Sequence, residues 1–282
     1  MLCCIGDLVE DVVVRRPASI SRGADTDVAV ERRRGGSAAN VAVSAASTGA
    51  RVRFFGRVGE DAIGAALIAE MEAAGVEAVV QRAGRTGTII VLVEPDGDRS
   101  MLRDRGAAPD LDRLDTPELN DVTWLHVPAY SLVSGSVADV ASKALLDARA
   151  DGIGTSVDVS SVTIIEQQGR EAFRSKLMGL GPDVLFANAD EARALGVPSD
   201  GIAGVGLTIV KDGPHPVMAY DGVGGSVGEL AAHDLAYVRD TTGAGDAFAA
   251  GFLMATMRGI AVDGAMASGH ALAAQHIDQM RL

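Results

Sequence analysis

The sequence predicts an α/β protein with a doubly wound, mostly parallel central sheet, helices on both faces of that sheet, and a small β-sheet lid. Two observations predict this fold class. Short apolar segments alternate with longer segments whose apolar residues recur at helical spacing, which is the pattern of strand-helix-strand units. Hydrophobic residues form 48% of the chain but aromatic residues only 4%, so we expect a core of small aliphatic side chains, as between parallel strands and their covering helices.

The first half of the chain supplies strands and helices in alternation. Buried strands are expected at 1–6 and at 51–55. Helices are expected from about 35 to 48 and from 61 to 74, because each segment has helical periodicity and is followed by a glycine.

Short apolar segments flanked by charged residues predict the strands of the lid: 12–14, 28–30, 88–93 and 99–103. The sequence Pro-Asp-Gly-Asp at 95–98 is a turn signal between the last two of them. We expect a single domain over residues 1–282, with the lid built from about 11–34 and 87–104. Exposed strands that carry apolar residues favour association, so we also expect a homodimer formed through the lid.

The second half of the chain repeats the alternation. Strands are expected at 124–127, 155–158, 184–187 and 207–210, with helical patterns between them and a last helix from 263 to 279. No repeat, low-complexity tract or linker divides this part of the sequence.

Composition excludes several classes of protein. The chain has 25 Lys and Arg against 38 Asp and Glu, a net charge of −13, which disfavours nucleic acid as the main ligand. Cys3 and Cys4 lack the spacing of a zinc site or a disulfide framework, so buried strand positions are expected for them. The sequence shows no membrane span and no signal peptide, which predicts a cytoplasmic protein.

Residues 240–246, Asp-Thr-Thr-Gly-Ala-Gly-Asp, are the strongest local signal for chemistry. They precede an apolar helix, so the N–H groups of Gly243, Ala244 and Gly245 could converge on an anion at the positive end of the helix dipole. Asp246 would lie in the first turn, where its carboxylate could accept a proton from a hydroxyl. The alternative is a plain glycine turn with an aspartate that only begins a helix.

A second pattern lies near the N-terminus: Gly-Gly-Ser-Ala-Ala-Asn-Val-Ala at 35–42, then Gly-Arg-Val-Gly-Glu-Asp at 56–61, and Gly64. This pattern resembles the first signature of the ribokinase-like carbohydrate kinase family, also called the PfkB family, and residues 240–246 resemble its second signature. The resemblance extends over nearly the whole chain. It implies the ribokinase-like fold and the ATP-dependent phosphorylation of a hydroxyl group with the help of Mg²⁺.

The resemblance also implies roles for particular residues. Asp246 would be the general base, and the N–H groups of Gly243, Ala244 and Gly245 would stabilise the transferred phosphoryl group. The positions that match the family's acceptor site are Asp11, Gly35, Gly36 and Asn40. For Asp11 alone, the other interpretation is a solvated charge at a strand edge.

On the nucleotide side, Asn188 and Glu191 match the family's Asn-x-x-Glu element near Mg²⁺ and the phosphates, where both would act through water. The same two residues could instead form a helix capping pair, and both interpretations can hold together. Lys211 and Gly213 resemble a nucleotide-side loop, although Pro216 stands where the family often has a second glycine.

Arg103 and Arg105 follow the predicted lid strand, at a position that faces the acceptor in several relatives. They could bind a carboxylate or phosphate on the acceptor. Alternatively they are surface charges paired with Asp98 or Asp104.

Asp240 and Thr242 match one side of the family's monovalent cation site. Many relatives complete that site with a strand and loop beyond the last helix, whereas this sequence stops at Leu282, so activation by K⁺ is doubtful. The five histidines show neither metal-ligand spacing nor a nucleophile partner, which predicts no catalytic role for them.

Competing functions fit the sequence less well. A P-loop enzyme would need Gly-x-x-x-x-Gly-Lys-Ser/Thr, and a dinucleotide-binding dehydrogenase would need Gly-x-Gly-x-x-Gly after the first strand; neither is present. A non-catalytic sugar or nucleoside sensor would not need Asp246. Among acceptors, a sugar or sugar acid is expected before a nucleoside, because only Phe54, Phe55 and Tyr130 could stack on a base near the site.

Overall fold

The computed structural model describes residues 1–15, 22–94, 99–114, 119–197, 199–232 and 241–279. In chain order its strands are β1 (Leu2–Ile5), β2 (Val9–Arg15), β3 (Val30–Gly35), β4 (Val52–Val58), β5 (Val76–Arg82), β6 (Thr86–Val93), β7 (Arg99–Gly106), β8 (Trp124–Pro128), β9 (Gly154–Asp158), β10 (Val184–Asn188), β11 (Leu207–Lys211), β12 (Val217–Asp221) and β13 (Ser226–Leu230). Its helices are α1 (Ser37–Ala46), α2 (Ala62–Ala73), α3 (Tyr130–Val133), α4 (Ser136–Ala150), α5 (Val162–Gln168), α6 (Arg170–Leu180), α7 (Ala189–Leu195), α8 (Ala244–Thr256) and α9 (Val262–Gln279).

The central sheet is mostly parallel, as predicted. Its strand order is β13-β12-β11-β10-β9-β8-β1-β4-β5. β12 pairs in the antiparallel direction with both of its neighbours, β11 and β13, and the other described pairs of this sheet are parallel. The chain therefore runs outward in both directions from β1, and the carboxyl ends of the parallel strands meet at one edge, where doubly wound sheets bind their ligands.

Helices cover both faces of this sheet. One core packs buried residues of α1, α2, α8 and α9 against the sheet, and the other packs α3 to α7. Cys3 and Cys4 are fully buried on opposite faces of β1, because successive side chains of a strand point to opposite sides. The expectation that both cysteines are buried strand residues is confirmed.

The predicted lid is a second sheet of four strands in the order β3-β2-β6-β7. β2 pairs with β6 in parallel, and the two outer pairs are antiparallel. The strand predicted at 28–30 is observed at Val30–Gly35, so the two overlap only at Val30. The turn predicted at 95–98 lies outside the described residues.

Large apolar side chains remain exposed on the lid: Val30, Ile90, Met101 and Leu102. No helix of the described residues is long and apolar enough to cross a membrane.

Candidate active site

A cavity of about 1060 Å³ lies at the carboxyl edge of the central sheet. Residues at the ends of successive parallel strands line it: Pro128, Asp158, Asn188 and Lys211. The first turn of α8 lines it as well, and residues of β2, β6 and β7 reach it from the lid. The cavity thus lies where the sheet, a helix N-terminus and the lid converge.

Asp246 lies in the first turn of α8 and lines this cavity. Its Oδ1 accepts a hydrogen bond from Ser37 Oγ at 2.7 Å, and its Oδ2 accepts one from Asn40 Nδ2 at 2.9 Å. Both donors come from the start of α1, so the two glycine-rich segments of the sequence meet at this carboxylate. Sequence analysis singled out Asn40 but not Ser37.

The pKa of Asp246 is raised above its usual value. Burial is the largest cause, and the nearby charge of Asp158 adds to it. The hydrogen bonds from Ser37 and Asn40 and the charge of Lys211 oppose the rise. A carboxylate with a raised pKa is a stronger base, which suits it to accept the proton of a hydroxyl group.

The glycines before Asp246 form the N-terminal end of α8. Gly243 is the N-cap residue, and its φ of 80° is the left-handed conformation that favours glycine. A Cβ atom on Gly245 would lie 3.3 Å from Lys211 Nζ, so the ammonium group lies close to this helix end. Gly243, Ala244 and Gly245 all line the cavity. The arrangement can bind an anion between the helix N-terminus and the lysine.

Lys211 pairs with Asp158 inside the cavity, with Nζ 2.8 Å from Oδ2. Burial alone would lower the pKa of Lys211, but the charge and hydrogen bond of Asp158 raise it on balance above the usual value. Lys211 therefore stays positively charged. The sequence predicted Lys211 as a nucleotide-side residue but gave no signal for Asp158.

Asn188 and Glu191 form the capping box of α7. Asn188 Oδ1 accepts from the Glu191 N–H at 2.9 Å, and Glu191 Oε2 accepts from the Asn188 N–H at 2.8 Å. Burial, followed by the charge of Asp158, raises the pKa of Glu191 to about 7. The capping interpretation is confirmed, and both residues also line the cavity.

A magnesium site through water fits these residues better than direct ligation. Both carboxylate oxygens of Glu191 already accept hydrogen bonds from Asn188. In the described part of the chain, no cluster of three or more His, Cys, Asp or Glu side chains could hold a metal ion by itself. Mg²⁺ usually keeps several waters and binds phosphate oxygens, so one or two carboxylates near the phosphates suffice.

Asp11 lies on β2, lines the cavity and is only 8% exposed. Its pKa rises to about 6 because burial and the charge of Asp246 outweigh the attraction of Arg33 and Arg34. A Cβ atom on Gly35 would lie 2.0 Å from Asp11 Oδ1, so only glycine at that position leaves space for the carboxylate. Asp11 is therefore a buried group, not a solvated charge at a strand edge.

Gly36 has a φ of 102°, and a Cβ atom there would lie 2.1 Å from the backbone oxygen of Asp7. Glycine is required at this position because β3 turns into α1 against the loop that follows β1.

Arg34 is a residue that sequence analysis missed. From β3 of the lid, its Nη1 donates to Asn40 Oδ1 at 2.7 Å and its Nε donates to Glu70 Oε1 at 3.2 Å. Burial lowers its pKa, although the nearby carboxylates oppose this. Since no short sequence pattern links Arg34 to Asn40, only the structure could show the contact.

The two predicted arginines differ in their surroundings. Arg105 binds both carboxylate oxygens of Asp7, at 2.7 and 2.8 Å, and also donates to Ser134 at 2.9 Å. The interpretation that Arg105 pairs with Asp104 is wrong, because Asp104 binds Arg85. The other partner considered, Asp98, lies outside the described residues.

Arg103 is exposed and lies over the ring of Tyr130, 4.7 Å from its centre. Tyr130 lines the cavity as expected. Phe54 and Phe55 do not, because both are buried in the core on opposite faces of β4. The expectation that they could stack on a ligand was wrong.

Of the remaining predicted residues, Gly213 and Thr242 line the cavity. Asp240 lies outside the described residues. The backbone oxygen of Thr242 is 2.7 Å from Nε2 of His276, on α9.

Comparison with known proteins gives this site its class, that of the ATP-dependent small-molecule kinases. The family model described as pfkB family carbohydrate kinase matches residues 1–281, so the chain belongs to that family.

Relatives with named activities agree with this class. A 5-dehydro-2-deoxygluconokinase of Shouchella clausii is 26% identical over 85% of this chain and 78% of its own length. A fructokinase of Vibrio alginolyticus is 29% identical over 79% of this chain and 76% of its own length. The crystal structure of adenosine kinase from Sinorhizobium meliloti superposes with a TM-score of 0.87 and 25% identity, over 99% of this chain and 94% of that one.

Proposed function

We propose that the protein transfers the γ-phosphoryl group of ATP to a hydroxyl group of a small carbohydrate, with Asp246 as general base. The observation that carries the proposal is the placement of the Asp246 carboxylate, which lines the cavity from the first turn of α8, directly after the glycines of its N-terminus. A base and an anion-binding helix end are thus adjacent, as in-line phosphoryl transfer requires.

In the proposed reaction, the residues at the start of α8 act on a proton and on the charge of the phosphoryl group. Asp246 accepts the proton of the acceptor hydroxyl while the hydroxyl oxygen forms its bond to the γ-phosphorus and the bond to the ADP oxygen breaks. The N–H groups of Gly243 and Gly245 stabilise the negative charge on the phosphoryl oxygens during the transfer. The Ala244 N–H would join them by leaving or sharing its hydrogen bond to the backbone oxygen of Thr241.

The nucleotide side of the cavity carries Lys211, Gly213, Asn188 and Glu191. The ammonium group of Lys211 would bind a phosphate oxygen, since it already lies beside Gly245. Mg²⁺, when bound, would neutralise phosphate charge, and Glu191 would hold it through water.

The acceptor side is formed by the lid and the start of α1. Asp11 and Asn40 would bind acceptor hydroxyls, because a carboxylate and an amide can read neighbouring hydroxyl groups. Arg105 forms a bidentate ion pair with Asp7, which neutralises its charge. This pairing disfavours the binding of a sugar acid's carboxylate by Arg105. Arg103 also lines the cavity on this side. The carboxylate of a sugar acid would therefore bind Arg103 rather than Arg105, whereas a neutral sugar needs neither arginine.

A nucleoside is the second candidate acceptor, and one observation favours it. Val9, Ile89 and Met101 of the lid line the cavity together with Tyr130. Apolar side chains beside an aromatic ring can enclose a planar base, which a simple sugar lacks.

A screen of acceptors tests both candidates. ADP release would be measured with ATP and a panel of neutral sugars, sugar acids and nucleosides, and thermal shifts with a non-hydrolysable ATP analogue would rank binding. Turnover with neutral sugars or sugar acids supports the first candidate, and turnover with nucleosides only supports the second. Binding without turnover across the panel would favour a non-catalytic sensor.

We also propose that the lid forms a homodimer interface. Its exposed apolar residues outside the cavity, Val30, Ile90 and Leu102, include members of both edge strands, β3 and β7. Apolar edge strands tend to be covered by another chain.

A further inference from the structure

His276 of α9 contacts the loop that begins α8, although the sequence predicted no catalytic role for any of the five histidines. Its Nε2 lies 2.7 Å from the backbone oxygen of Thr242. A carbonyl oxygen only accepts hydrogen bonds, so this nitrogen must carry the proton and donate it.

The imidazole also packs directly on Gly243. A Cβ atom on that glycine would lie 2.9 Å from His276 Nε2. Any side chain at position 243 would therefore displace the ring, besides being strained at a φ of 80°.

The neighbouring carbonyl groups of this loop bind within the backbone. Thr241 O accepts from the Ala244 N–H at 3.1 Å, and Gly243 O accepts from the Ala247 N–H at 2.9 Å. The Thr242 carbonyl lies between these two in the sequence, and the His276 side chain of α9 contacts it.

This contact fixes the direction of an N–H group that the proposed mechanism uses. The Thr242 carbonyl and the Gly243 N–H belong to one planar peptide unit, and in a trans peptide they point in opposite directions. Holding the carbonyl from the side of α9 therefore holds the N–H in place. A hydrogen bond to the carbonyl also polarises the peptide, which strengthens the N–H as a donor.

We propose that His276 is a positioning residue for the anion-binding loop, and that its N–H donor serves the Thr242 carbonyl in place of a monovalent cation. The family resemblance placed Thr242 at a cation site, yet this carbonyl already has a donor at hydrogen-bond distance. The imidazole N–H takes one of the two lone pairs of this oxygen, and its hydrogen carries positive charge that disfavours a K⁺ ion beside it.

The inference rests on the proposed kinase activity, and the test separates the two. His276→Leu removes the donor, whereas His276→Gln places an amide N–H near the position of Nε2. Gln275→Ala, an exposed position on the same helix, is the matched control. The folding of each variant is checked by thermal melting.

We expect the leucine variant to lose about tenfold to a hundredfold in kcat, somewhat less than the ~10²–10³-fold for deleting an oxyanion-hole donor. KM for the acceptor should change little, and the glutamine variant should recover most of the lost kcat. Wild-type activity should show no saturable activation when K⁺ replaces a bulky organic cation at constant ionic strength.

Three results would overturn the inference: wild-type kcat in a folded leucine variant, equal losses in the leucine and glutamine variants, or saturable K⁺ activation of the wild type. An inactive wild type would instead refute the proposed kinase activity. In that case the ¹⁵N chemical shifts of the imidazole still test the contact, because an Nε2 that donates to the Thr242 carbonyl must carry the proton, and a neutral His276 protonated on Nδ1 would contradict it.

Discussion

Asn40 donates from Nδ2 to Oδ2 of Asp246 across 2.9 Å, and this hydrogen bond joins the two glycine-rich signatures, which lie 206 residues apart in the chain. The same amide accepts from Arg34 at its Oδ1. Because the oxygen faces a cation and the nitrogen faces a carboxylate, the orientation of the amide is determined. The lid strand β3 is thereby connected to the proposed base through two side chains.

Replacing Ser37 by alanine removes the other donor to Asp246. The hydrogen bond from Ser37 lowers the pKa of Asp246, so its loss should raise that pKa further. Since a general base acts in its deprotonated form, the acidic limb of kcat/KM should move to higher pH. The profile is measured over the acidic range with Ser47→Ala, an exposed serine just after α1, as control. An unmoved acidic limb would contradict the proposed role of Ser37.

Replacing Arg34 by methionine should lower kcat by roughly tenfold while the protein stays folded, because the Asn40 amide is then free to rotate away from Asp246. Steady-state kinetics compare this variant with Arg32→Met, whose guanidinium binds Glu10 on the same sheet and is exposed. Equal effects of the two substitutions would point to a general disturbance of the lid.

Asp11→Ala should weaken acceptor binding by about 1.5–3 kcal/mol, the range for hydrogen bonds to charged groups, with ATP binding little changed. The pKa of Asp11 is about 6. If its carboxylate accepts from acceptor hydroxyls, wild-type affinity should rise as the pH increases through 6. Calorimetry with each ligand at several pH values measures both effects, and equal losses for ATP and acceptor would indicate a structural role.

Lys211→Met leaves the buried Asp158 without its cation and should lower the free energy of unfolding by about 3–5 kcal/mol. Adding Asp158→Asn should restore part of that stability, because the uncompensated charge is then removed. Urea denaturation of the single and double variants tests the pair. ATP affinity should stay low in both variants, since neither has an ammonium group beside Gly245.

Leu102→Glu places a charge on the exposed face of β7, where Leu102 is 56% exposed. If the lid forms the dimer interface, light scattering should show a dimer for the wild type and a monomer for this variant. A monomeric, fully active wild type would rule out the interface.

Much of the central sheet was predictable because its strands are short buried segments that alternate with helical patterns. β1, β8, β9, β10 and β11 are almost entirely buried, and each was placed within one or two residues. Three strands at or next to the edges of the sheet were missed: β5, β12 and β13. β5 and β13 mix polar and apolar residues without a distinct pattern, and β12 is a short apolar segment that is only partly buried.

The site also contains residues that the sequence predicts and contacts that it does not. Asp246, Asn40 and Lys211 belong to sequence motifs, whereas the Arg105–Asp7 pair joins residues 98 positions apart and His276 reaches a carbonyl 34 positions away. Such contacts depend on how the elements pack, and no local spacing encodes them. The expectation for Phe54 and Phe55 was wrong because both residues belong to a strand that helices cover on both faces. Adjacent side chains of such a strand point to opposite faces, and both are buried.

Asp246→Asn tests the central claim most directly, because the amide keeps the size of the side chain but cannot accept the proton. On the acceptor identified by screening, the account predicts a loss in kcat of about 100-fold or more, with unchanged thermal stability and ATP binding. A folded Asp246→Asn variant with near-wild-type kcat would contradict it.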